Sequence, residues 1–261
     1  MLARGVVLRD LVQAKLELQW SPEQIAGWLR STYPDRTDWH VCAETIYQAL
    51  YRGGMSGLPR VLTRNLRFGR ALRRPRRRPD RRQGRPRFRA PSKLVDQRPA
   101  AASDRIRIGD WEGDLIIGRQ GGSAVGTLVD RVSKYVVLVH LPDGRRPEPF
   151  AAALRTALLA VPADLRRTLT WDQGTEMARH DLNADLFLEG IYFARPGQPW
   201  IRPVNENVNG LLRQYLPRSS DLSTFTAEDL IAIAARLNDR PRKILDWRTP
   251  AQVFAARLPC T

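Results

Sequence analysis

Residues that bind soft metals or form cross-links are scarce in this sequence. Its 261 residues include two cysteines, Cys42 and Cys260, which lie far apart, and three histidines that make no metal-ligand spacing with them. This scarcity argues against a structural zinc site and a disulfide framework, and it is typical of a protein of a reducing cytoplasm. Any metal ion must therefore be held by oxygen ligands.

Long apolar runs are also missing. No stretch of 18 apolar residues, no signal peptide and no basic amphipathic anchor is visible, so the sequence predicts no membrane partner. Hydrophobic residues still make up 43% of the chain. This content predicts a folded protein with one substantial core and a small second one.

Acidic residues are too few to balance the basic ones. The chain has 27 Asp and Glu against 43 Lys and Arg, which gives a net charge of +16. This balance predicts a polyanionic partner, and nucleic acid is favoured over an anionic membrane surface.

The excess charge is concentrated between residues 70 and 89, where eleven arginines stand against one acid. Prolines in this stretch prevent a continuous helix, and charge repulsion favours an extended chain. The stretch predicts a linker that lies along a phosphate backbone, and a solvated spacer with no bound partner is the alternative. The arginines predicted to contact DNA are Arg73, Arg74, Arg76, Arg77 and Arg78.

The residues before this linker have the pattern of short helices. In WSPEQIAGWLR, Ser21 is a predicted N-cap, Pro22 the first helical residue and Glu23 a first-turn acid. A second helix is predicted in CAETIYQALYRGG, before two glycines. The pair predicts a helix-turn-helix whose second helix enters the major groove, and a small helical packing module is the alternative. The residues nearest the bases would be Ala43, Glu44, Thr45 and Gln48.

From about residue 104 the pattern alternates between strands and helices. RIGDWEGDLIIG and AVGTLVDRVSKYVVLVHL predict three strands, PEPFAAALRTALLAVP a helix, RTLTWDQ a fourth strand, TEMARHDLNADLFLEG a helix and IYFAR a fifth strand. Further helices are predicted at 205–216, 227–237 and 250–258. This order indicates an α/β domain with a mixed sheet and helices on its faces. The predicted domains are 1–60, 61–103 and 104–261.

Three carboxylates are placed where this sheet would bring them together. Asp114 lies in the first strand, Asp172 ends the fourth, and Glu206 begins the helix after the fifth. Because clustered carboxylates repel one another, bound Mg²⁺ would relieve the conflict. Two such ions support in-line attack on a phosphodiester. Each acid alone is also explained as a turn-former or a helix cap, and spacing does not separate a nuclease from a transferase.

Longer motifs narrow the choice. GDWEGDLI, TWDQGTEMARH, NENVNGLLRQYLP and RPRKILDWRTPAQVF, together with WSPEQIAGWLR and ETIYQALY upstream, closely resemble the bacterial insertion-sequence transposases of family thirty. The resemblance covers nearly the whole chain. It implies an RNase H-like catalytic core with the triad Asp114, Asp172 and Glu206, where 57 residues separate the first pair and 33 the second.

The resemblance also implies partners and further roles. Such enzymes bind the terminal inverted repeats of their element, nick to expose a 3′-hydroxyl and join it to target DNA, as homo-oligomers in the bacterial cytoplasm and nucleoid. Two Mg²⁺ ions are expected, with Mn²⁺ as the substitute. Arg213, two helical turns after Glu206, would hold the DNA end together with Asn209, and an unpaired surface arginine is the alternative. Trp111 and Trp171 are predicted to pack in the core, and His180 to be structural.

Three departures from the family pattern bear on activity. Members usually begin with another helix-turn-helix, whereas this chain starts at Met1 just before the second one, which predicts weaker recognition of the element ends. Arg195 and Pro203 replace an expected acid and an expected glycine, and Cys42 removes a good N-cap. Proline is tolerated in a first helical turn, so Glu206 is expected to keep its place.

Three rival functions remain open from sequence. A nuclease with the same core would cut without joining. A truncated remnant would bind DNA without cutting it. A general RNA-binding protein is disfavoured because aromatic platforms for single strands are missing.

Overall fold

The computed structural model describes residues 6–52, 58–66, 88, 90, 92–195 and 203–256. The chain divides into two compact units, one of residues 1–79 with 239–253 and one of residues 80–238 with 254–261. Within the described residues no helix is long and apolar enough to cross a membrane.

The first unit is helical, as predicted. It contains α1 (Val6–Glu17), α2 (Pro22–Thr32) and α3 (Ala43–Arg52), with 3₁₀ turns at Thr37–Trp39 and Arg60–Asn65. The predicted start of α2 is confirmed, because Ser21 and Gln24 form a reciprocal capping box and Pro22 occupies the first turn. Buried apolar residues from all three helices form one core. The arginines predicted to contact phosphate, residues 73–78, lie outside the described residues.

The second unit is built on a six-stranded mixed sheet. Its strands are β1 (Lys93–Leu94), β2 (Asp110–Ile117), β3 (Ala124–Asp130), β4 (Val136–Val139), β5 (Thr168–Trp171) and β6 (Gly190–Phe193). Their order is β1-β6-β5-β2-β3-β4, with β3 antiparallel to both β2 and β4 and the other pairs parallel. The predicted mixed sheet is confirmed, and its first and fourth predicted strands, β2 and β5, are neighbours. The two-residue β1 was not predicted.

Helices cover both faces of this sheet. They are α5 (Pro147–Leu159), α6 (Pro203–Leu212) and α7 (Ala227–Asn238). The short helix α4 (Ala100–Ser103) precedes β2, and α8 (Pro250–Ala255) has residues in both units. Apolar residues of α6 and α7 pack against Ile116 of β2 and valines of β3 and β4. On the opposite face, Phe150 of α5 meets Trp171 edge to face at 5.4 Å between ring centroids. Trp111 and Trp171 are fully buried, which confirms their predicted role in the core.

Three predicted helices differ in the structure. The stretch after β5 is a 3₁₀ segment, Thr175–Leu186, with non-helical backbone at Arg179, rather than an α-helix. Its buried residues include Met177, His180, Asn183 and Leu186, which recur every third position, the period of a 3₁₀ turn. Helix α6 begins two residues before the predicted start and ends four before the predicted end. Helix α8 ends at Ala255, and the last two residues predicted for it lie outside the described residues.

The outer strand β4 receives a side chain from α7. Asn238 Nδ2 donates to the carbonyl of Val136 at 2.9 Å, and Asn238 Oδ1 accepts from the Val136 backbone N–H at 2.8 Å. The amide thereby satisfies both backbone groups of one residue of β4, and Asn238 is itself 4% exposed.

Candidate active site

Two of the three predicted carboxylates lie on adjacent parallel strands. β2 and β5 pair in the register Asp110 with Thr168 through Glu112 with Thr170. Asp114 lies inside β2, two residues after Glu112, and Asp172 lies directly after β5, two residues after Thr170. Because neighbouring strands are about 4.8 Å apart, this register brings the two aspartates side by side.

Asp114 is held from both of its oxygens. Its Oδ1 accepts from the backbone N–H of Leu115 at 2.9 Å, and its Oδ2 accepts from Asn209 Nδ2 of α6 at 2.9 Å. The carboxylate is half-buried. Asn209 therefore fixes the orientation of this acid, and the predicted DNA contact of Asn209 stays a prediction.

Asp172 lies in a turn that leaves the sheet. Its Oδ1 accepts from the backbone N–H of Gly174 at 3.1 Å, which orients the carboxylate toward its own loop. The half-buried side chain follows Trp171, so the alternation of the strand puts it on the face opposite the buried indole.

A third carboxylate, Glu176, lies close enough to both aspartates to interact with their charges. It is 8% exposed and accepts a hydrogen bond from Trp171 Nε1 at 2.9 Å. Burial raises the pKa of Glu176, and the negative charges of Asp172 and Asp114 raise it further. A Cβ on Gly174 would lie 2.2 Å from Glu176 Oε1, so any larger residue there would force this carboxylate to move. No pattern in the sequence distinguishes Glu176 from the exposed acids around it.

The direction of this pKa shift predicts how the free energy of unfolding changes with pH. For a carboxyl whose folded pKa is raised, its stabilising contribution is present below the unfolded value of 4.5 and is lost as pH rises through the folded value. We therefore expect the free energy of unfolding of wild type, relative to Glu176→Gln, to fall as pH rises above 4.5 in chelator-containing buffer. Urea titrations at several pH values measure it. The exposed Glu148→Gln is the control, and a pH-independent difference for Glu176→Gln would contradict the prediction.

Glu206, the third predicted catalytic residue, lies in the first turns of α6. Its side chain lies outside the described residues. Among the side chains that the structure describes, no group of three or more His, Cys, Asp or Glu residues could hold a metal ion. The helix starts at Pro203, two residues before its predicted start, so proline occupies the first helical position, where it is tolerated.

Two arginines near the site have partners in the protein. Arg213 donates from Nη2 to the carbonyl of Ile117 at 3.0 Å and from Nη1 to that of Leu216 at 3.2 Å. Burial and the charge of Arg218 lower the pKa of Arg213. Arg195 Nε donates to exposed Asp96 at 2.8 Å, so its charge is offset locally. The predicted contact of Arg213 with a DNA end stays a prediction.

His180 is buried and its Nδ1 lies 3.2 Å from the carbonyl of Met177. Its ring packs edge to face on Phe88 and Phe193. These contacts agree with a structural role.

The residues predicted to read bases lie along α3. Glu44 and Gln48 are exposed and hydrogen-bonded to each other at 3.1 Å, and Thr45 is half-buried. Cys42 precedes the helix, with its sulfur 3.2 Å from Thr45 Oγ1, and this contact lowers the pKa of the exposed thiol. Their contact with bases stays a prediction.

Comparison with known proteins gives close relatives. No family model matches the chain. The transposase for insertion sequence element IS1086 of Cupriavidus metallidurans is 44% identical, over 97% of this chain and 74% of that protein. The transposase InsI for insertion sequence element IS30A of Escherichia coli is 39% identical, over 97% of this chain and 66% of that protein. The chain therefore spans two thirds to three quarters of these relatives. Among solved structures, the catalytic core domain of BIV integrase is 17% identical, with a TM-score of 0.42, over 56% of this chain and 93% of that one.

Proposed function

This chain belongs to the insertion-sequence transposases of family thirty, and we propose that it nicks and joins DNA strands by divalent-metal-dependent phosphodiester chemistry. The observation that carries the proposal is the placement of Asp114 beside Asp172 on paired strands, with α6 bonded to Asp114. Asp114, Asp172 and Glu206 are the proposed catalytic residues and metal ligands.

The donor set suits Mg²⁺. Asp114 and Asp172 offer carboxylate oxygens, the hard ligands that Mg²⁺ and its substitute Mn²⁺ take, and buried Glu176 adds negative charge beside them. Two bound ions would activate a water or a 3′-hydroxyl and stabilise the leaving oxygen. The protein's own contribution is orientation, through the Leu115 and Gly174 backbone N–H groups and the Asn209 amide.

The substrate in this proposal is double-stranded DNA, both the terminal inverted repeats of an element and a target. Residues 1–60 would recognise the ends through α3, residues 61–103 would lie along phosphates, and residues 104–261 would carry the chemistry. The charge of +16 supports this division because each neutralised phosphate releases counterions. Action on two ends implies a homo-oligomer on DNA, associated with the nucleoid.

A joining assay tests the proposal. Full-length protein is incubated with a labelled inverted-repeat duplex and an unlabelled target, with Mg²⁺, with Mn²⁺ and with chelator. We expect nicked and joined products only with a divalent ion, and none from Asp172→Asn. Asp164→Asn, an exposed change of the same kind, is the control and should behave as wild type.

The rival functions give different products in this assay. Cut ends without joined product would identify a nuclease. Salt-sensitive binding without cutting would identify a DNA-binding remnant. Joining by Asp172→Asn at the wild-type rate would remove that residue from the catalytic set.

A further inference from the structure

Glu112 is a fully buried carboxylate that the proposed triad does not use. It lies on β2, two residues before Asp114 and so on the same face of the sheet, and it is 0% exposed. Its Oε1 accepts from Arg131 Nε at 2.9 Å, and its Oε2 accepts from the backbone N–H of Asn205 at 3.4 Å. The carboxylate therefore joins a buried arginine to the first turn of α6.

Stability alone does not explain the Glu112–Arg131 pair. Arg131 is 3% exposed and also donates from Nη1 to the carbonyl of Ala102. Burying two charges costs desolvation energy, and apolar residues of similar volume often stabilise such a position equally well. The position of the pair at a helix end suggests a second use.

The first-turn N–H groups of a helix have no partner inside the helix, and Asn205 carries one of them in α6. The hydrogen bond to Glu112 is long, but a full negative charge faces the positive end of the helix dipole. The Asn205 side-chain amide has no hydrogen-bond partner among the described residues. The described polar contact of Asn205 is therefore made by its backbone.

One turn further along α6, Asn209 donates to Asp114. Glu112 and Asp114 are two residues apart on β2, a distance of about 6.6 Å along a strand. Asn205 and Asn209 are four residues apart on α6, a distance of about 6 Å along a helix. The spacing of the two carboxylates therefore matches the spacing of the two residues that they bind. β2 thus holds α6 at two points with two carboxylates. The backbone of Glu206 lies between these points.

We propose that Glu112, with its charge balanced by Arg131, is a positioning residue that fixes the register of α6 on β2. This inference rests on the proposed function, because the register of α6 determines where Glu206 lies relative to Asp114. Without Glu112, apolar packing and the Asp114–Asn209 bond still hold the later turns of α6 on the sheet, but its first turn loses its described polar anchor.

Hydrogen exchange tests the anchor without reference to activity. The key variant is Glu112→Met with Arg131→Met, which removes both charges and keeps an apolar volume. We expect its melting temperature to stay within about 5 °C of wild type, while amides 204–208 exchange about tenfold faster. Arg155→Met with Asp185→Met, which removes an exposed ion pair, is the matched control and should leave exchange in α6 unchanged. Unchanged exchange of amides 204–208 in the key variant would overturn the inference.

The joining assay then tests the consequence. We expect the key variant to bind the inverted-repeat duplex with wild-type affinity and to join it about tenfold more slowly or worse. Joining at the wild-type rate would overturn the role of Glu112 in placing Glu206. An inactive wild type would instead refute the proposed function, and the exchange result would still decide the anchor. If the key variant does not fold, hydrogen exchange of α6 and the joining rate are measured on Glu112→Gln instead. The same results would support or overturn the inference.

Discussion

Asp114→Asn is expected to lower strand joining about 10³-fold, or ~4 kcal/mol of transition-state stabilisation, without changing affinity for DNA. The change removes the negative charge that a metal ion needs and keeps the shape of the side chain. An amide oxygen at this position can still accept from the Leu115 N–H, and its NH2 group can donate to Asn209 Oδ1 once the Asn209 amide flips, so the local structure should persist. Single-turnover rates with saturating duplex measure the effect.

The control for this prediction is Asp143→Asn, an exposed aspartate of the same domain. It should join DNA at the wild-type rate. Thermal melting of both variants checks that the fold is intact. A rate for Asp114→Asn within tenfold of wild type would mean that Asp114 does not hold the metal.

Gly113→Ala is expected to destabilise the protein by ~3 kcal/mol, the upper part of the range for overpacked cores. A Cβ at Gly113 would stand 1.8 Å from a ring carbon of Trp171. The indole has little room to retreat, because it is fully buried, packs on Phe150 and donates to Glu176. Urea denaturation measures the loss.

Gly122→Ala is the matched control for this change. Its added Cβ would meet nothing closer than 3.7 Å, so its unfolding midpoint should match that of wild type. A double-mutant cycle identifies the cause, because in a Trp171→Leu background Gly113→Ala should cost less than about 1 kcal/mol. An equal cost in both backgrounds would show that Trp171 is not the obstacle.

The strands that carry the site could be predicted from the sequence because strand formation depends on local sequence patterns. β-branched runs bounded by glycine or proline predicted β2 to β6, and the α/β order predicted that Asp114 and Asp172 would meet. The stretch 175–186 was predicted wrongly because two of the residues buried at its threefold spacing, His180 and Asn183, are polar. A prediction based on the spacing of apolar residues therefore misses this threefold period.

The supporting contacts could not be predicted, because they join residues far apart in the chain. Glu112 and Asn205 are separated by 93 positions, and neither has a local signal that distinguishes it from a surface residue. Glu176 is similar, since an acid after a turn is usually exposed and only the packing of Trp171 shows that it is buried. The sequence thus indicates which residues could react, and tertiary packing determines what orients them.

The hydrogen bonds between Asn238 of α7 and Val136 of β4 affect how copies of this chain can associate. An outer strand with unsatisfied backbone groups is a template onto which another chain can add a strand. At Val136 both groups are already taken, and the opposite outer strand, β1, is two residues long. Addition of a strand from another copy is therefore disfavoured at Val136, and the described β1 offers a short template. If copies assemble on two DNA ends, as proposed, contact through side-chain surfaces would let them separate again without disrupting the sheet.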